Sequence, residues 1–84
     1  MPAELTGMSR TFQDHDFLVW EVYPSGGRHG FSDNPHVIFN CLTQQNLRPR
    51  YVPLGRDEAD AQRRIALMSD EELLELFERA REIS

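Results

Sequence analysis

The stretch Tyr23 to Val37, YPSGGRHGFSDNPHV, gathers three glycines, two histidines, an arginine and an aspartate between two apolar segments. Glycine lets a backbone approach an anion closely and Arg28 would meet its charge, so SGGRHG has the makings of a phosphate cradle. It lacks the G-x-x-x-x-G-K-[ST] spacing, and no convincing helix follows to aim its first amides at a phosphate. His15, His29, His36 and Cys41, with Asp14, Asp16 or Asp33, are donors of the types zinc takes, but they show neither C-x-x-C nor H-x-x-x-H spacing. Ser25 with His29 and Asp33, or Cys41 with a histidine, can be written as nucleophile and base, yet neither set lies in a recognised nucleophile turn. The residues therefore point to no catalytic set, no metal site and no cofactor, and the chain is expected not to be an enzyme.

These side chains must be positioned by a short series of strands followed by helices. RTFQ is a strand candidate, DHD supplies turn formers, and FLVWEVY is rich in the β-branched and aromatic residues that suit a pleated surface, so the two segments should form a hairpin. Alternation puts Phe17, Val19, Glu21 and Tyr23 on one face and Leu18, Trp20 and Val22 on the other, which is the cleaner core face. HVIFNCLT repeats the pattern, with Val37, Phe39 and Cys41 on one side and Ile38, Asn40 and Leu42 on the other. QQN makes a turn, and LRPRYVPL follows as a last strand; Pro49 and Pro53 cannot donate to a ladder, so this strand should be short or lie at an edge.

GRDEADAQRRIALM has helical composition with only a weak apolar stripe. SDEELLELFERAREI is clearer, because Ser69 can cap the first amides, Glu72 three residues on completes a capping box, and Met68 with Leu73 fits a hydrophobic staple. Leu73, Leu76, Phe77, Ala80 and Ile83 would then share one face. The expected fold is α+β: a small antiparallel sheet of three to four strands packed by a C-terminal helix from Ser69 to Ile83, with a shorter helix before it. Residues 1–9 read as a flexible N-terminal segment and 10–84 as one domain. Within it the 24–36 connection exceeds the roughly 2 to 5 residues of an ordinary hairpin loop.

The order of a phenylalanine strand with an acidic turn, WEV, an apolar strand, RPRYVPL and a final MSDEELLEL helix resembles a group of small bacterial proteins of uncharacterised function. That group shows a W-E-V strand, an R-x-R strand leading to a proline, and a closing L-S-D-E-E-L helix. The resemblance covers roughly residues 10 to 83. Met68 stands where leucine is usual, and Asp57 to Leu67 looks longer and more helical than the group's pattern. The resemblance implies no activity, cofactor or catalytic residue.

Size and charge bound what remains. Eighty-four residues build one modest core, and 39% hydrophobic with 27% charged residues is ordinary for a folded chain. No apolar run is longer than Phe17 to Trp20, far short of the roughly 20 residues that span a bilayer, and MPAELTGMSR has no signal-like character, so a cytoplasmic location is expected. Cys41, the single cysteine, is expected as a free buried thiol. All nine basic residues are arginine, and the net charge of −5 lies in the stretch after residue 56. Trp20, Tyr23, Phe39 and Tyr51 with Arg48 and Arg50 would suit a sheet surface that stacks single-stranded nucleic acid, although the acidic total opposes phosphate binding. The preferred expectation is an accessory or adaptor protein that binds another protein, as a peripheral subunit of a larger assembly would. Arg28, His29 and Phe31 of the long loop, with Arg48, Arg50 and Tyr51, are the expected contacts, while Trp20 and Phe77 belong to the core.

Overall fold

The computed structural model describes residues 9–25 and 35–83. Five strands, β1 (Arg10–Gln13), β2 (Val19–Ser25), β3 (His36–Cys41), β4 (Arg50–Pro53) and β5 (Arg81–Glu82), form one sheet in the order β1-β2-β3-β4-β5, and two helices, α1 (Glu58–Leu67) and α2 (Asp70–Arg79), follow β4. Every neighbouring pair is antiparallel. The alternation expected of β2 and β3 holds: Trp20 and Val22 pair with Cys41 and Phe39 on a buried face. Phe12 and Val37 join that face, and Ala61 and Ile65 of α1 with Leu73, Leu76 and Phe77 of α2 close over it. Helix α1 lies across β2 and β3, and α2 across β1 and β4. The opposite face carries Glu21, Tyr23, Ile38, Asn40 and Tyr51.

Three expectations are corrected. The sheet has five strands rather than three or four, because the segment expected as the last turn of the final helix instead pairs with β4. Helix α2 stops at Arg79: Ala80 takes extended backbone (ψ 152), Arg81 pairs with Tyr51 and Glu82 with Arg50, and the Ile83 N–H donates to Pro49 O at 2.8 Å. Four more helical residues would have left the outer backbone groups of β4 unpaired, and the short pairing satisfies them. The preceding helix is not the shorter one, since α1 and α2 both run 10 residues. β4 is short, as its prolines require, and β5 makes it the second strand from the sheet edge.

Local chemistry explains both helix starts. Ser69 Oγ accepts the Glu72 N–H at 3.1 Å while Glu72 Oε1 accepts the Ser69 N–H at 2.8 Å, which completes the expected capping box. At α1, Asp57 Oδ1 accepts the Asp60 N–H at 2.8 Å. Asp60, buried at 6% exposure, accepts from the Arg56 N–H at 2.9 Å and from the Arg63 and Arg64 guanidinium groups at 3.0 Å. The Arg56 amide first, then Arg64 and Arg63, outweigh the opposing effect of burial and lower the Asp60 pKa to about 2. Gly55, at φ +82, makes this approach possible; a Cβ there would lie 2.9 Å from Ala61 N and 3.0 Å from Asp60 Oδ2.

One arginine binds the layers together. From β1, Arg10 Nη1 donates to Ile65 O at 2.8 Å and to Met68 O, and its Nη2 meets Asp70 Oδ1 at 2.9 Å. It thereby satisfies carbonyls at the C-terminal end of α1 and reaches the first residue of α2. Among the described residues no helix is long and apolar enough to cross a membrane.

Candidate functional site

The β1–β2 hairpin builds one wall of a cleft. The Asp14 N–H donates to Leu18 O at 2.9 Å, enclosing a loop of His15, Asp16 and Phe17 whose last residue takes φ +65. This is the hairpin pattern that ends in a left-handed residue, usually glycine. The Asp14 side chain fixes the loop from inside: Oδ1 accepts the Asp16 N–H at 2.8 Å and the Leu18 N–H at 3.0 Å, and Oδ2 accepts the buried Trp20 indole N–H at 2.8 Å. Burial pushes the Asp14 carboxyl up, but these bonds and the neighbouring His15 together outweigh it and hold the pKa below the ordinary value of 3.8. Asp14 is thus an ionised structural acceptor rather than an acid poised for catalysis.

The opposite wall comes from β4 and the turn before it. Arg50 sits on the helix-covered face, in register with Phe39 and Glu82. Its guanidinium lies 4.3 Å from the Phe77 ring centre and 5.9 Å from that of Trp20, and Nη1 reaches Phe77 O at a long 3.5 Å. Half-buried as it is, Arg50 has no carboxylate among the described residues within salt-bridge distance. Arg48, two residues earlier and exposed, lines the same cleft of about 290 Å³. Leu18, Leu47, Trp20 and Phe77 give the cleft apolar walls, and Gln44, Asp16 and Glu82 add polar groups. A shallower depression of about 250 Å³ shares Asp14, Asp16, Arg50 and Phe77 and continues toward His15 and Glu78. Arg50 is therefore the arginine common to both hollows, beside the carboxylates of Asp14 and Asp16.

Of the expected contact residues, Arg48 and Arg50 come together and Tyr51 does not. Tyr51 points to the opposite face, where its ring stands edge-on to His36 at 6.0 Å. Arg28, His29 and Phe31 lie outside the described residues. The aromatic sheet surface considered for nucleic acid does not form as one surface: Trp20 and Phe39 are buried under the helices, while Tyr23 and Tyr51 face the other way. His15 is in the hairpin turn, 3.4 Å from Glu78, whereas Cys41 is buried in β3 with its thiol near Thr43 Oγ1 at 3.5 Å and the Gln44 N–H at 3.4 Å. Among the described residues no three histidine, cysteine or acidic side chains gather as a metal site would require.

Sequence reasoning missed Asp14, Asp16, Gln44 and Phe77 as parts of this cleft. In the sequence Asp14 and Asp16 read only as turn formers and zinc-type donors, and Gln44 as part of a turn. Phe77 is legible as a helix-face residue, but its role as the platform for Arg50 depends on a contact across 27 residues. Compared with models of known families, with curated proteins and with solved structures, the chain matches none.

Proposed function

We propose that the protein is a non-enzymatic adaptor, a small accessory chain that holds another protein through the Arg48–Arg50 cleft. The observation that carries this is Arg50: a half-buried guanidinium stacked on Phe77, with no carboxylate partner among the described residues, facing a cleft with apolar walls. Guanidinium over an aromatic ring keeps its planar fork of donors available at its edge, and a carboxylate is the group that fork fits best. Arg48 adds a second, exposed cation, while the half-buried Leu18 and Leu47 offer the apolar area on which interface contacts rest. Nucleic acid has less support, since Asp16 and Glu82 line the same cleft and would oppose a polyphosphate.

The experiment is affinity capture from the native cell with the intact protein, the Arg48→Gln variant and the Arg50→Gln variant, each checked for an unchanged circular dichroism spectrum. A specific protein recovered by the wild type and lost by both variants supports the adaptor function. Recovery of the same proteins by all three overturns it.

A further inference from the structure

We infer that the cleft takes a chain end, the free C-terminal carboxylate of a partner protein whose last residue is apolar; this rests on the adaptor function proposed above. The distances set the chemistry. The Arg50 charge sits 4.3 Å above the Phe77 ring and 5.9 Å from Trp20, both of them nearly buried, and the half-buried Leu18 and Leu47 line the same small space. Cation and apolar wall are therefore adjacent within one residue's reach. At a C-terminus the carboxylate and the side chain grow from the same carbon, so one residue meets both. In an aspartate or glutamate the carboxylate occupies the side chain itself, and apolar contact must come from a different residue farther along the chain.

The remaining polar groups agree. Asp16 and Glu82 at the cleft accept hydrogen bonds, and a chain end brings an amide N–H one carbon away from its carboxylate. The acids of the lining, Asp14, Asp16 and Glu82, oppose any anion, but a phosphate with nearly two negative charges and no donor more than a carboxylate with one charge. Volume points the same way, because about 290 Å³ lies at the bottom of the roughly 300–1,000 Å³ range of small-molecule sites. That space suits a chain end better than an extended helix or a nucleotide cofactor.

Trp20 is the single tryptophan and lines the cleft, so its emission reports occupancy of the intact protein. The titrants are N-acetyl-leucyl-leucine with a free carboxylate, the same dipeptide as its C-terminal amide, and N-acetyl-leucyl-glutamic acid α-amide, whose only carboxylate is on the side chain. A saturable change is expected for the first below about 5 mM, weakened about tenfold or more by amidation, by moving the carboxylate, and by Arg50→Gln. Arg48→Gln, at an exposed position, should weaken it too and guards against a folding defect in the Arg50 variant. No saturable change with the free acid, or equal binding of acid and amide, overturns the inference. Equal binding of the glutamate peptide overturns the chain-end source while leaving carboxylate recognition, and the adaptor function, in place. If captured partner protein is lost with both arginine variants yet is not displaced by the free dipeptide, the chain end is wrong and the adaptor function survives. If capture is indifferent to both arginines, the adaptor function itself fails.

Discussion

Replacing Phe17 by glycine should leave the protein more stable than replacing it by alanine, the reverse of the usual order. Phe17 holds φ +65 and is 78% exposed, so it combines a strained backbone with little packing. At an ordinary position glycine is worse than alanine by about 0.5–1 kcal/mol, because its unfolded chain has more freedom to lose. In the left-handed region a Cβ costs roughly 1–2 kcal/mol, which glycine avoids. Both variants lose the same phenyl ring, so the lost burial cancels in the comparison. The difference between the two effects predicts glycine ahead of alanine by about 0–1.5 kcal/mol, centred on about 0.75 kcal/mol, or roughly 3–6 °C at the centre in a domain of this size. Urea unfolding followed by Trp20 emission gives the comparison directly, with the m-value checking that the denatured state is unchanged. Alanine above glycine would refute the claim that backbone conformation sets the balance at this turn.

Gly55→Ala should destabilise by more than about 2 kcal/mol, since a Cβ there meets the Ala61 backbone at 2.9 Å in addition to the left-handed strain; a thermal midpoint shift of under a few degrees would contradict it. Arg10→Ala should cost about 2–3 kcal/mol, nearly all from the Ile65 and Met68 carbonyls, while Asp70→Asn should cost under about 0.5 kcal/mol because that ion pair is largely exposed. Matched denaturation curves settle the contrast, and equal losses from the two changes would show that the ion pair matters more than the carbonyls. For Asp60, the folded pKa of about 2 lies below the ordinary 3.8, so its contribution is fully present above 3.8 and is lost as pH falls through about 2. The stability gap between wild type and Asp60→Asn should therefore narrow as pH falls across that window, and a gap of constant size would refute the linkage.

The parts of the fold that local patterns specify were legible. Period-two alternation put Trp20 with Val22 on the core face of β2 and Phe39 with Cys41 on one side of β3, and burial fixes this register because a one-residue slip would expose them all. Ser69 and Glu72 announced the start of α2 through the side chains that satisfy its own first amides. Its end carried no such mark: no glycine follows Arg79, and what stops the helix is the demand of a distant strand for a partner. The cleft was half legible for the same reason. Arg48 and Arg50 are two apart in an extended segment and so share a side, but Arg50 gains its meaning only from Phe77, and Tyr51, the residue after Arg50, necessarily faces the other way. Phe17 was hidden more completely, since a bulky aromatic in a left-handed position contradicts its own local preference.

The Arg10 clamp also bears on the speed of unfolding. Strands added in chain order close mostly short loops, and such topologies assemble fast. The hydrogen bonds from Arg10 to Ile65, Met68 and Asp70 join residues 55, 58 and 60 positions apart, and they need β1 and both helices already in place. They are expected to form after the rate-limiting step, with φ-values near zero for Arg10→Ala in folding kinetics. Removing them would then leave the refolding rate almost unchanged and accelerate unfolding by nearly the whole stability loss, about 30-fold or more for 2 kcal/mol. Arg10 would act as a latch, setting how long a folded molecule lasts rather than how quickly one is made.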